Sequence, residues 1–223
     1  GALQTVLTSL ADPLQLAPLI DRLRAALPND VLIVNLDAWD GYAAERAELL
    51  AAFQARGVKN LVALTGDFHT CLAGYLKTDF DRPNSDPANR VGVEFMTPAL
   101  TSANLKELVA ALAGDATPLP RLNTTVGELV GVLGAVLLNS ASVRVLNPAT
   151  LFFDSLHWGY SVLELAPGRA TFSAWAVDKD RADAAAKKRL VVRYVAGEGT
   201  LALTRTGGAG LLAEADGEAA TLA

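Results

Sequence analysis

The chain has 223 residues, of which 51% are hydrophobic and 19% charged, a globular composition long enough for one sizeable core. A formal net charge of −5 argues against nucleic acid or an anionic membrane surface as partner, since both reward clustered Lys and Arg. No apolar run reaches the ~18 residues of a membrane-spanning helix; the nearest, residues 126–138, is shorter and carries Glu128.

Residues 13–27 carry apolar positions at helical spacing, and "VLIVNL" (31–36) reads as a strand or buried extended segment. The clearest helix is 40–57, with Asp40 placed to cap it and Arg56 and Gly57 to close it. "NLVALTG" (60–66) reads as a buried strand ended by glycine. Helix, apolar strand and polar loop in that order give an α/β signature, in which ligand groups collect at strand carboxyl ends. Further along, 76–90 reads as a polar loop, 91–97 as a strand, 104–114 and 124–140 as helices, 152–178 as a hairpin turning at "APGR", and 187–197 as the last strand. The small, Gly- and Ala-rich end is expected to be a flexible tail over 206–223, following one domain over 1–205. Cys71 is the one cysteine, so no internal disulfide forms. The chain begins at Gly1, and the expectation is that it was processed or cut from something longer.

Four constellations carry possible chemistry. In "TGDFHT", Asp67 and His69 follow a strand end; a carboxylate and an imidazole there suit a metal or a phosphate, or else a capping Asp and a surface His. In "NLDAWDGYAAER", Asp37 and Asp40 flank Trp39, as metal ligands or as a turn residue and a cap. Arg46 follows within the helix and could pair with either carboxylate or with a substrate phosphate. In "EFMTPALTS", Glu94 sits in a strand of apolar neighbours, facing solvent or paired, with the hydroxyls of Thr97, Thr101 and Ser102 beyond it. In "FFDSLHWGY", His157 lies three residues after Asp154 and three before Tyr160, and its spacing does not demand metal.

Taken in order, W-D-G-Y, the strand into G-D-x-H, E-F-x-T-P-x-x-T-S and the G-Y-x-V strand resemble the second half of the PhoD-like alkaline phosphatases and phosphodiesterases, over about Asp37 to Asp178. That family includes bacterial enzymes of phospholipase D type. The resemblance implies a calcineurin-like metallophosphoesterase fold, α/β or α+β in class, with stacked β-sheets flanked by helices, of which this chain supplies the carboxyl-terminal part. It implies hydrolysis of phosphate mono- or diesters at a multinuclear metal centre, with iron and calcium, in a periplasmic or extracellular enzyme. Carried over by residue, the resemblance implies that Asp67 and His69 are the catalytic pair, with Asp67 and Asp40 as metal ligands and His69 as a metal ligand or a phosphate contact. Asp37 belongs to the surrounding wall, and Trp39, Arg46, His157 and Tyr160 contact substrate.

The family's first half supplies most of the metal ligands, and residues 1–36 contain neither His nor Cys. Ala149 also stands where members often carry histidine. The site is therefore expected to be completed by a missing amino-terminal half or a partner chain; a non-catalytic remnant of the fold is the other reading. Half a stacked-sheet domain is further expected to expose apolar surface and bind a hydrophobic dye.

Overall fold

In the computed structural model, which describes residue 39 and residues 41–107, 140, 143–144, 147–180 and 187–208, eight strands sort into two four-stranded sheets. Among the described residues one helix, α1 (Ala43–Ala55), precedes β1 (Leu61–Thr65). Its amino-terminal cap is Tyr42, which makes no side-chain cap bond. Asp40, expected in that role, lies outside the described residues, as do Asp37 and the expected elements at 13–27, 31–36 and 124–140. Only the first residues of the expected helix at 104–114 are described: 105–107 are helical and Asn104 precedes them. The carboxyl end of α1 closes as expected: Gly57 takes φ +68, its N–H donates to Gln54 O at 3.0 Å, and Val58 N–H donates to Phe53 O at 3.1 Å. This is the paired bond pattern of a left-handed glycine cap.

The first sheet has the order β1-β3-β2-β4, with β2 at Cys71–Lys77, β3 at Arg90–Met96 and β4 at Thr150–Asp154. β1 runs parallel to β3, while β2 is antiparallel to both β3 and β4. The second sheet is a meander of β5 (Trp158–Ala166), β6 (Arg169–Val177), β7 (Arg189–Gly197) and β8 (Leu203–Gly207). Three features depart from the sequence reading. β2 was not expected. The residues read as one hairpin over 152–178 divide between the sheets, with β4 in the first and the β5–β6 hairpin, turning at Pro167 and Gly168, in the second. β7 is followed by one more strand, which runs to Gly207.

Alternation dictates what is buried, because successive strand residues point to opposite faces. Ala73 and Tyr75 of β2, Val93 and Phe95 of β3, and Phe152 of β4 meet Phe172, Ala174, Val192, Tyr194 and Leu203 of the second sheet in one core. Leu203 N–H donates to Tyr75 Oη at 3.1 Å and ties β8 to β2. Cys71 belongs to this core; burial, and secondarily the charge of Asp154, pushes its thiol pKa far up. On the opposite face of the first sheet, Phe153 packs with Leu105 and Val143, with Phe68 and Leu72 beside them.

The expected exposed apolar half-domain is therefore only partly found, because the two sheets cover each other's inner faces. Among the described residues the most exposed large apolar side chains are Leu64 of β1, at 63%, and Leu165 of β5, at 73%, and part of the flank between these two strands stays open. A cleft of about 420 Å³ lies on that flank, lined by Leu61, Val62, Val93, Leu165 and Ala170, with Lys59 and Arg169 also on its wall.

Candidate functional site

β1, β3 and β4 finish, and β2 begins, at one end of the sandwich. The loop from Gly66 to Thr70 crosses this end. Thr97 N–H donates to Thr65 O at 3.1 Å and carries the parallel pairing one step past the strands. Phe68 N–H donates to Gly66 O at 2.8 Å, a three-residue turn. On either side of Phe68, Asp67 takes φ +68 and His69 φ +57. Left-handed backbone is uncommon outside glycine, Asp and His are among the side chains that tolerate it, and such strain collects at functional sites. Asp67 is exposed and His69 half-buried.

The His69 ring is oriented by one contact, between Nδ1 and the carbonyl oxygen of Ala103. A carbonyl only accepts, so Nδ1 carries the hydrogen, and in the neutral ring Nε2 keeps its lone pair. That tautomer is the one in which a histidine ligates a cation, with a backbone carbonyl holding the other nitrogen.

Ala103 lies in a loop pinned from the far side. Gly159 N–H donates to Ala99 O at 2.9 Å, Trp158 Nε1 donates to Ser102 O at 3.1 Å, and Asn104 Nδ2 donates to Leu156 O at 3.1 Å. Asn104, fully buried, also accepts from Glu107 N–H at 3.0 Å. Gly159 has to be glycine, since a Cβ there would sit 1.9 Å from Trp175 O. Lys179 Nζ lies 4.2 Å from the centre of the Trp158 ring and donates to both Glu107 carboxylate oxygens, at 2.6 and 2.7 Å. Glu94 is paired, accepting from Thr65 Oγ1 at 2.8 Å.

At the end of β4, Asp154 Oδ1 accepts from Leu156 N–H at 2.9 Å and His157 N–H at 3.3 Å, while Oδ2 takes the His157 Nδ1 hydrogen at 2.7 Å. Burial works to raise the Asp154 pKa, but the His157 side chain and the two backbone donors outweigh it and hold the carboxyl below its ordinary value. His157 Nε2 in turn accepts from Arg189 Nη2 at 2.9 Å.

The structure thus places Asp67, His69 and His157 at one end of the sandwich. Trp39 is 51% exposed just ahead of α1, joined to it by Tyr42 N–H donating to Trp39 O at 3.2 Å. Arg46 is set apart: its guanidinium lies 5.0 Å from the centre of the Phe80 ring, in the loop past the opposite end of β2. Tyr160 pairs across from Trp175 on the face of the second sheet turned away from the core. Among the described residues no three His, Cys, Asp or Glu side chains converge as a metal cage. Sequence reasoning missed Asn104, Lys179 and Arg189, whose partners lie 52, 72 and 32 residues away along the chain. No local pattern marks such contacts.

A sequence model of the family described as PhoD-like phosphatase matches residues 7–173, well over half of the 223-residue chain. The chain belongs to that family. The curated relative Alkaline phosphatase D of Bacillus subtilis (strain 168) is 36% identical over 70 residues, which cover 31% of this chain and 12% of that protein. A solved structure described as "Structure of PhoD" superposes with a TM-score of 0.57 at 19% identity, over 79% of this chain and 28% of the solved one, and shows the shared fold. This PhoD-like chain therefore spans only a small part of the relatives it matches. None of its described helices is long and apolar enough to cross a membrane.

Proposed function

We propose that the chain contributes one corner of a metal-dependent phosphoesterase that hydrolyses phosphate mono- or diesters. The observation that carries this reading is His69, whose Nδ1 is committed to Ala103 O and whose Nε2 lone pair is left available two residues from the exposed carboxylate of Asp67. The donor set fits a hard or borderline cation, with iron and calcium the candidates from the family resemblance. Asp67, His69 and, from its place in the sequence, Asp40 would hold it. A bound cation supplies positive charge against the phosphoryl oxygens.

The chain's own residues do the rest. The Ala103 carbonyl fixes the His69 ring, the Asn104, Trp158 and Gly159 bonds fix the loop carrying Ala103, and the left-handed backbone presents Asp67 outward. Rigid placement of this kind is what in-line displacement at phosphorus rewards. Trp39 is the remaining proposed substrate contact; both ring nitrogens of His157 are taken, by Asp154 and Arg189, and the placement of Arg46 and Tyr160 lends them no support. The proposed compartment, periplasmic or extracellular, rests on the family resemblance alone.

The experiment is elemental analysis of the chain after loading with iron and calcium, alongside phosphodiester and phosphomonoester assays. Metal retention that Asp67→Asn abolishes without loss of fold is the expected result; full retention in that variant sinks the ligand assignment. A second reading, a non-catalytic piece of the fold, is favoured by the absence of a three-ligand cage among the described residues. It predicts neither metal nor turnover.

A further inference from the structure

Arg189 belongs to no motif, yet its side chain is held in place. A guanidinium only donates, so its 2.9 Å contact with His157 Nε2 makes that nitrogen the acceptor and sends the Nδ1 hydrogen to Asp154. The carboxylate end of this chain of bonds is anchored by two backbone N–H groups and is 10% exposed, whereas Arg189 itself is exposed. Holding a long surface side chain in one place costs rotamer freedom. A fork held this way is pre-organised for a ligand.

Arg189 uses one N–H on His157, and the rest of its fork has no partner among the described residues.

The position is as informative as the geometry. Asp154 is the cross-strand partner of Cys71, two residues after His69. Trp158, next to His157, bonds to Ser102, next to the Ala103 that holds His69. The fork therefore lies at the same end of the sandwich as Asp67 and His69. A planar guanidinium matches two oxygens of a tetrahedral oxyanion, and pre-orientation raises what that match is worth.

We propose that Arg189, oriented by His157 and Asp154, binds the non-bridging oxygens of the substrate phosphate. His157 and Asp154 are then positioning residues. This deepens the phosphoesterase reading and rests on it.

The test is titration of inorganic phosphate into the full chain, with affinity from calorimetry and the His157 ring nitrogens and Arg189 Nε followed by NMR. Arg189→Gln should weaken binding about tenfold or more, the scale of a charge-assisted bidentate contact. His157→Gln can still accept from Arg189 and donate to Asp154, and should bind like the unmodified chain; His157→Leu should lose several-fold. No saturable phosphate binding, unchanged binding in Arg189→Gln, or equal binding in the two His157 variants overturns the proposal. If His157→Leu fails to fold, the exposed Arg189→Gln decides alone. Phosphate binding that depends on Arg189 without metal retention at Asp67 would sink the phosphoesterase reading and leave an anion site. Metal retention and turnover that ignore Arg189→Gln would do the reverse.

Discussion

Phe95 of β3 and Phe172 of β6 stack across the interior with ring centres 4.4 Å apart and planes 5° from parallel, one from each sheet. Both are almost fully buried, at 1% and 2% exposure, so the pair is a principal joint between the sheets. Removing a buried phenylalanine costs about 3–5 kcal/mol. Phe172→Ala should lower the unfolding free energy by that amount, read from the denaturant midpoint. Phe172→Leu, which keeps most of the volume, should cost clearly less; equal losses would show that the joint is not where stability resides.

The left-handed backbone at Asp67 separates stability from function. A non-glycine residue held there costs on the order of 1 kcal/mol or more. Asp67→Gly should therefore raise the melting temperature by about 2–4 °C, the shift that ~1 kcal/mol gives in a chain of this size, while abolishing metal retention. A variant that is both less stable and metal-free would mean that the carboxylate holds the loop together.

Asp154 gives the fold an acid sensitivity with a definite sign. Its folded pKa lies below the ordinary value, so between the two values the unfolded chain binds more protons than the folded one. The resulting stability is fully present above the unfolded pKa of about 3.9. It is lost as pH falls through the folded pKa. Asp154→Asn should be less stable than the parent at pH 6 and should converge towards it on acidification, measured as urea midpoints across pH 2–6. A constant gap across that range would remove Asp154 from the account.

The open flank between β1 and β5 makes a further claim. A hydrophobic dye should bind the folded chain at the cleft that Leu165 lines, and Leu165→Ser should cut the fluorescence by more than half while leaving the melting temperature nearly unchanged, because this side chain is already 73% exposed. Dye binding that persists in the variant would place the apolar surface elsewhere.

Several elements were legible in the sequence because one signal dominates each. β1, β3 and β7 are apolar runs, and α1 ends at a glycine that takes φ +68. β2 was hidden because it holds Gly74 and no β-branched residue, and it ends in Lys77, whose side chain is nonetheless fully buried. Its Nζ donates to the carbonyls of Phe80 and Arg82, satisfaction that no linear pattern announces. The break between β4 and β5 contains neither Gly nor Pro; Asp154 makes that turn by accepting the N–H groups of Leu156 and His157. At the site, the pair Asp67 and His69 could be read from spacing. The bond that gives His69 its tautomer could not, since its acceptor is a backbone carbonyl 34 residues away.

The lone thiol of Cys71, sealed between the sheets at 3% exposure and resistant to ionisation, gives the molecule a built-in clock. A thiolate-seeking reagent cannot reach it while the sandwich is closed. At low reagent the labelling rate reports the equilibrium fraction of open molecules, and at high reagent, where labelling outpaces reclosing, it counts partings of the sheets one by one, without any engineered probe.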